Sequence, residues 1–126
     1  MRKGFTMIEV VIVIVVLAVL AAVAIPRYID LQNQANESAE AGVAGGVRAG
    51  IATYYIEQCA GGSCVWPTTL DSVAVSTTCD ATNPCFGSVL EQSGIADGSW
   101  AKDAFGDYNG PDGGSYTYDN TDGSFE

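Results

Sequence analysis

Met1-Arg2-Lys3-Gly4-Phe5-Thr6-Met7-Ile8-Glu9 opens the chain, and Val10 to Ile25 follows as sixteen apolar residues without a break. From Phe5 to Ile25 the only polar side chains are Thr6 and Glu9. About 20 apolar residues in helical form cross a bilayer core, so the segment reads as a membrane-length helix. Arg2 and Lys3 ahead of it favour a cytoplasmic N-terminus. The far end of the chain is a different material: residues 91–126 hold eight acidic groups, seven glycines and one lysine.

Three readings of this N-terminus compete. A secretory signal would use Arg2-Lys3 as its basic region and Ala22-Val23-Ala24 as a small-residue cleavage site. A plain single-span anchor would need nothing more. The third reading turns on Glu9, because a carboxylate costs roughly 2.5–3.5 kcal/mol near the membrane centre and less near an interface. A signal or simple anchor has no use for it. Gly4-Phe5-Thr6-Met7-Ile8-Glu9 resembles the Gly-Phe-Thr-Leu-Ile-Glu pattern of type IV prepilins, with Met7 for Leu.

That resemblance implies that a membrane prepilin peptidase cuts between Gly4 and Phe5 and methylates the new amino terminus at Phe5. It also implies that Glu9 pairs with the N-terminal ammonium of a neighbouring subunit. An unpaired buried charge is penalised and an opposite charge relieves it. Glu9 is thus expected to set register in assembly, as a polar residue does in a coiled coil. The resemblance divides the chain into a leader at 1–4, a long helix at 5–58 with its membrane and filament-core part at 5–25, and a globular region at 59–126.

Pro26 ends the apolar run. Inside a helix, proline removes a hydrogen bond and induces a kink; the resemblance implies local unwinding before it in filaments. Beyond it, Ala35, Ala39, Val43, Val47, Ile51 and Tyr55 recur every four residues, a helix face. Asp30, Gln32, Asn33, Asn36, Glu37 and Glu40 supply polar surface. The expected helix is roughly 80 Å long at 1.5 Å per residue. Gly42, Gly45, Gly46 and Gly50 interrupt it, each costing up to about 1 kcal/mol relative to alanine; close packing is favoured over flexibility as their reason. Arg48 is expected to be solvated, with pairing to an acid on a neighbouring subunit as the alternative. Tyr28-Ile29-Asp30-Leu31-Gln32 is similar to the same stretch of mannose-sensitive haemagglutinin pilins.

Cys59, Cys64, Cys79 and Cys85 follow an export-type N-terminus, and an even count there reads as disulfides. Local pairing, Cys59 with Cys64 and Cys79 with Cys85, is the first expectation; crossed and nested pairings stay open. Zinc is a weaker alternative, since the spacings are unusual for it. Trp66-Pro67-Thr68-Thr69-Leu70 is similar to the stretch after the long helix in pilins and pseudopilins, and Thr68 or Thr69 is placed to cap a short helix. Ser115-Tyr116-Thr117-Tyr118 alternates as a strand, and Asn120-Thr121-Asp122-Gly123 is a turn before Ser124-Phe125. The expected fold class is α+β, the pilin fold: a long N-terminal helix packed on a small antiparallel sheet of three or four strands.

Net charge is −10; without the first four residues, three basic side chains face 15 acidic ones, a balance of −12. Such a surface repels nucleic acid and anionic lipid. No histidine is present, which removes His-based nucleophilic catalysis and the commonest metal ligand. No enzyme activity and no cofactor are expected, with one alternative. Asp103-Ala104-Phe105-Gly106-Asp107-Tyr108 is similar to the Asp-Pro-Trp-Gly-x-x-Tyr segment of type II secretion pseudopilins, where calcium steadies a loop. Asp107, Asn109, Asp112, Asp119 and Asp122 are oxygen donors of the right kind for that ion.

The resemblance therefore implies a structural subunit of a helical homo-oligomeric filament used in adhesion or motility. The precursor would sit in the inner membrane as a single span, and assembly machinery would carry it to the cell surface. A pseudopilin is the alternative, and a minor pilin acting as a binding module is the second.

Overall fold

The computed structural model describes residues 3–126, so Met1 and Arg2 of the expected leader lie outside the described residues. Two compact units divide the chain, one up to Ala35 and the other Asn36–Glu126. A single helix, α1, runs Met7–Ala60 and supplies both. It remains helical through Pro26.

Both ends of α1 have a chemical cause. At its start the carbonyl of Thr6 accepts the first helical bond, from Val10 N at 3.3 Å. At its end Gly62 takes φ +95°. Gly62 N donates to Cys59 O at 3.0 Å and Ser63 N to Gln58 O at 3.1 Å. This paired arrangement satisfies the last carbonyls and stops the helix.

In the first unit every residue from Phe5 to Ala35 is exposed. Leu17, Val19, Leu20, Val23 and Ile25 all present apolar surface, and nothing in the unit covers it. Among the described residues α1 is the one helix long and apolar enough to cross a membrane.

In the second unit α1 buries Glu40, Ala44, Val47 and Ile51. Val43 is half-buried on the same core. The expected four-residue stripe matches this face at Val43, Val47 and Ile51. It fails at Ala35 and Ala39, which are exposed. A step of four residues overshoots a 3.6-residue turn by about 40°, so a strict spacing of four winds off any one face. Glu40, expected on the polar surface, is buried. Its Oε2 accepts from Asp112 N at 2.8 Å and its Oε1 from the Tyr116 hydroxyl at 3.0 Å. Those bonds replace the water it gives up.

Five strands form one antiparallel meander in chain order: β1 (Thr77–Thr78), β2 (Ala101–Ala104), β3 (Asp107–Asn109), β4 (Ser115–Asp119) and β5 (Ser124–Phe125). The α+β class is as expected, and the strand count exceeds it. The segment between β1 and β2 carries one 3-10 turn, Glu91–Ser93, and a bridge of Cys85 to Ile95. No helix forms at Thr68 or Thr69. That stretch is fixed in an irregular path instead: Trp66 stacks on Tyr55 at 3.9 Å between centroids, and the Pro67 carbonyl accepts from the Tyr118 hydroxyl at 2.6 Å.

The core joins Val47, Ile51, Leu70, Phe86, Trp100, Tyr108 and Phe125 with both sulfurs of the second disulfide pair. Phe86 meets Trp100 edge-on at 5.4 Å and Tyr108 at 4.4 Å. Such aromatic pairs add stability beyond their buried area. Cys59 is bonded to Cys64 and Cys79 to Cys85, the local pairing. The glycines of α1 divide. A Cβ on Gly50 would strike the Val89 carbonyl, and one on Gly46 would rest 3.7 Å from Leu90, while Gly42 and Gly45 face open space. Close packing therefore accounts for Gly50 and not for Gly42 or Gly45.

Candidate functional site

The residues singled out for processing and assembly lie in the first eight or so positions of the described chain. Gly4 and Phe5 are exposed and precede the helix. Phe5 is 89% exposed. A peptidase needs backbone free of helical hydrogen bonds, and this junction offers it. A Cβ at Gly4 would meet nothing within 4 Å, so its own chain does not require glycine there.

Glu9 is tied to Thr6. Thr6 N and Thr6 Oγ1 both donate to Glu9 Oε2 at 2.9 Å, and Glu9 N donates to Thr6 Oγ1 at 3.4 Å. With Thr6 as the cap and Glu9 three residues on, this is a capping box that satisfies the free amides of the first turn. A carboxylate here also meets the positive end of the helix dipole. Sequence reasoning singled out Glu9 and missed Thr6, although Thr-x-x-Glu before an apolar run is the signal for this arrangement. Beside the carboxylate, Phe5, Val10, Val13 and Ile14 present exposed apolar surface.

The globular unit holds a second polar cluster, fully buried. Lys102 Nζ lies 2.6 Å from Asp71 Oδ1, the one ion pair among the described residues. Lys102 also donates to the Val73 carbonyl at 2.9 Å. Asp71 accepts further bonds from Val73 N, Phe86 N and the Tyr108 hydroxyl, at 3.1, 3.2 and 2.8 Å. Burial first, and then the Asp71 charge and bond, push the Tyr108 phenol well above its ordinary range. Every polar atom of this cluster has a partner, so it reads as structural. Arg48, expected to be solvated, is exposed but donates from Nε to the Phe125 carbonyl at 2.7 Å.

The acidic loop residues are spread out. Asp107 and Asn109 lie in β3 and Asp119 ends β4. Asp119 and Asp122 accept from Thr121 N and Ser124 N at 2.7 and 2.9 Å. The Ser124 amide holds the Asp122 carboxyl below its usual range. Asp112 gives its amide to Glu40. Among the described residues no group of three His, Cys, Asp or Glu side chains gathers to hold a metal.

A search of curated proteins and one of solved structures each return no match. Residues 1–25 match the family model of the prokaryotic N-terminal methylation motif. The motif implies processing by prepilin peptidase, and with the apolar helix it fits a membrane-anchored precursor. Residues 1–25 thus carry the signal of type IV prepilins and pseudopilins, which are structural subunits and not enzymes.

Proposed function

We propose that the chain is a structural subunit of a type IV pilus-like filament. One observation carries the reading: the uncovered apolar stretch of the helix, residues 5–25, bears a single carboxylate, Glu9, in its first turn. In the precursor, lipid covers the apolar surface. Cleavage after Gly4 frees the amine of Phe5, which is then methylated. On assembly a neighbouring copy's helix replaces lipid, and its amine meets Glu9. Apolar surface stays covered throughout, so polymerisation proceeds without a large solvation penalty. Pro26 gives the helix a place to bend or unwind during that exchange. The assembled filament extends from the cell surface and serves adhesion or motility.

Two measurements test this. Mass analysis of the mature N-terminus should find methylated Phe5; a chain beginning at Ile25 would mean a secretory signal. Glu9→Leu subunits co-expressed with native chain should be excluded from filaments, and their incorporation in normal register would sink the reading. The methylation motif is shared with pseudopilins, so deletion of the gene separates the two: loss of surface fibres marks a pilin, and intact fibres a pseudopilin or minor pilin.

A further inference from the structure

The two disulfides sit in opposite surroundings. Cys79 and Cys85 are each 0% exposed and belong to the aromatic core with Phe86 and Trp100. Cys59 is half-buried in the last turn of α1, and Cys64, beyond the helix end, is exposed. The rings they close are nearly equal, with sequence separations of 5 and 6. Loop closure therefore does not distinguish the two bonds, and access does. Exchange requires a thiolate to reach a sulfur, and exposed disulfides are the labile ones.

The chain around the outer disulfide is also held by other means. Gly62 N and Ser63 N close the helix on the Cys59 and Gln58 carbonyls. Trp66 stacks on Tyr55, and the Pro67 carbonyl accepts from the Tyr118 hydroxyl. None of these contacts passes through sulfur, so each survives when the bond opens.

We propose that Cys59–Cys64 is a thiol-exchange site of the folded chain, open to small neutral or cationic thiols, while Cys79–Cys85 is the structural bond. A thiolate attacks Cys64 Sγ and forms a mixed disulfide there as the Cys59–Cys64 bond breaks. The electron pair of that bond goes to Cys59 Sγ, which takes a proton from water. A second thiol can then attack the adduct's own sulfur, leaving as a symmetrical disulfide and releasing Cys64 as thiol. Two thiols are oxidised and one protein disulfide is reduced. The Cys59 thiolate emerges at the negative end of the helix dipole, which favours its protonated form. Re-attack is slowed, and the adduct on Cys64 persists. The last turn, Glu57-Gln58-Cys59-Ala60, carries an acid and no base. With a chain balance of −12 after its first four residues, the site repels anionic thiols.

The test uses the full oxidised chain in zwitterionic micelles and needs no polymerisation, so its outcome is independent of the filament assay. Cysteamine, a cationic thiol, and 2-mercaptoethanesulfonate, an anionic one, are added in parallel, and free thiols are trapped by alkylation. Cleavage at Glu57, Asp71 and Asp80 places Cys59 with Cys64 and apart from Cys79 and Cys85 for mass analysis. Cys59–Cys64 should open at least about tenfold faster than Cys79–Cys85, with the first adduct on Cys64 and near-ultraviolet circular dichroism native. In urea the two bonds should open at similar rates. Added salt should slow cysteamine and speed the sulfonate. The Cys59→Ser, Cys64→Ser double variant should keep the native spectrum and resist both thiols until unfolded. Equal opening in the folded chain, a first adduct on Cys59, salt effects of the opposite sign, or loss of the native spectrum when Cys59–Cys64 opens or is replaced overturns the proposal.

Discussion

Lys102 Nζ and Asp71 Oδ1 stand 2.6 Å apart beneath the sheet, both side chains almost wholly buried. They connect β2 to the irregular segment that follows α1. Removing one partner strands the other charge in a low-dielectric core. Lys102→Met should cost about 3–5 kcal/mol, read as a lowered thermal midpoint of the full chain in micelles. Lys102→Met combined with Asp71→Leu should cost less than the two single changes added together, because no charge is left alone. Additivity would mean that the pair is not coupled.

The capping box makes Thr6 a testable partner of Glu9. Thr6→Ala removes the hydroxyl that both donates to Glu9 Oε2 and accepts from Glu9 N. Loss of such a cap costs about 1 kcal/mol. Hydrogen exchange of the first-turn amides should then speed up about fivefold, and Thr6→Ser should restore protection. Equal exchange in all three chains would show that Glu9 does not depend on Thr6.

Alanine at two glycines of α1 should act in opposite directions. At Gly45 a Cβ enters open space, so alanine should stabilise the helix by up to about 1 kcal/mol. At Gly50 the same Cβ collides with the Val89 carbonyl. Overpacking of that kind costs about 1–3 kcal/mol, which outweighs the propensity gain. Melting curves of Gly45→Ala and Gly50→Ala should move up and down respectively; shifts of the same sign would refute the packing argument.

Local pattern and long-range placement explain which features the sequence disclosed. The apolar run, the Ser115–Tyr118 alternation and the Asn120–Gly123 turn are written in consecutive residues, and the folded chain keeps all three. β1 spans two residues, too few for any alternation to register. Glu40 looked like surface because its partners, Asp112 and Tyr116, lie 72 and 76 residues away. Asp71 and Lys102 were invisible as a pair for the same reason, at a separation of 31. Thr6 differs: its signal was local, but the chemistry implied by the prepilin resemblance drew attention to Glu9 alone.

Alkaline titration offers a check on the core from the other side. Burial, with a smaller contribution from the Asp119 charge, pushes the Tyr118 phenol up to about 12, and burial with Asp71 pushes Tyr108 higher. In the unfolded chain both ionise near 10. Folding therefore favours their protonated forms. The stability this gives is fully present below about pH 10 and is lost as pH rises toward the folded-state values. Absorbance at the phenolate band should show Tyr108 and Tyr118 silent through the range in which unfolded-chain tyrosines ionise. Their titration should come late and together with loss of near-ultraviolet circular dichroism. If all six tyrosines ionised in one step near 10 with the fold retained, the buried phenols and the network around Asp71 would not exist as described.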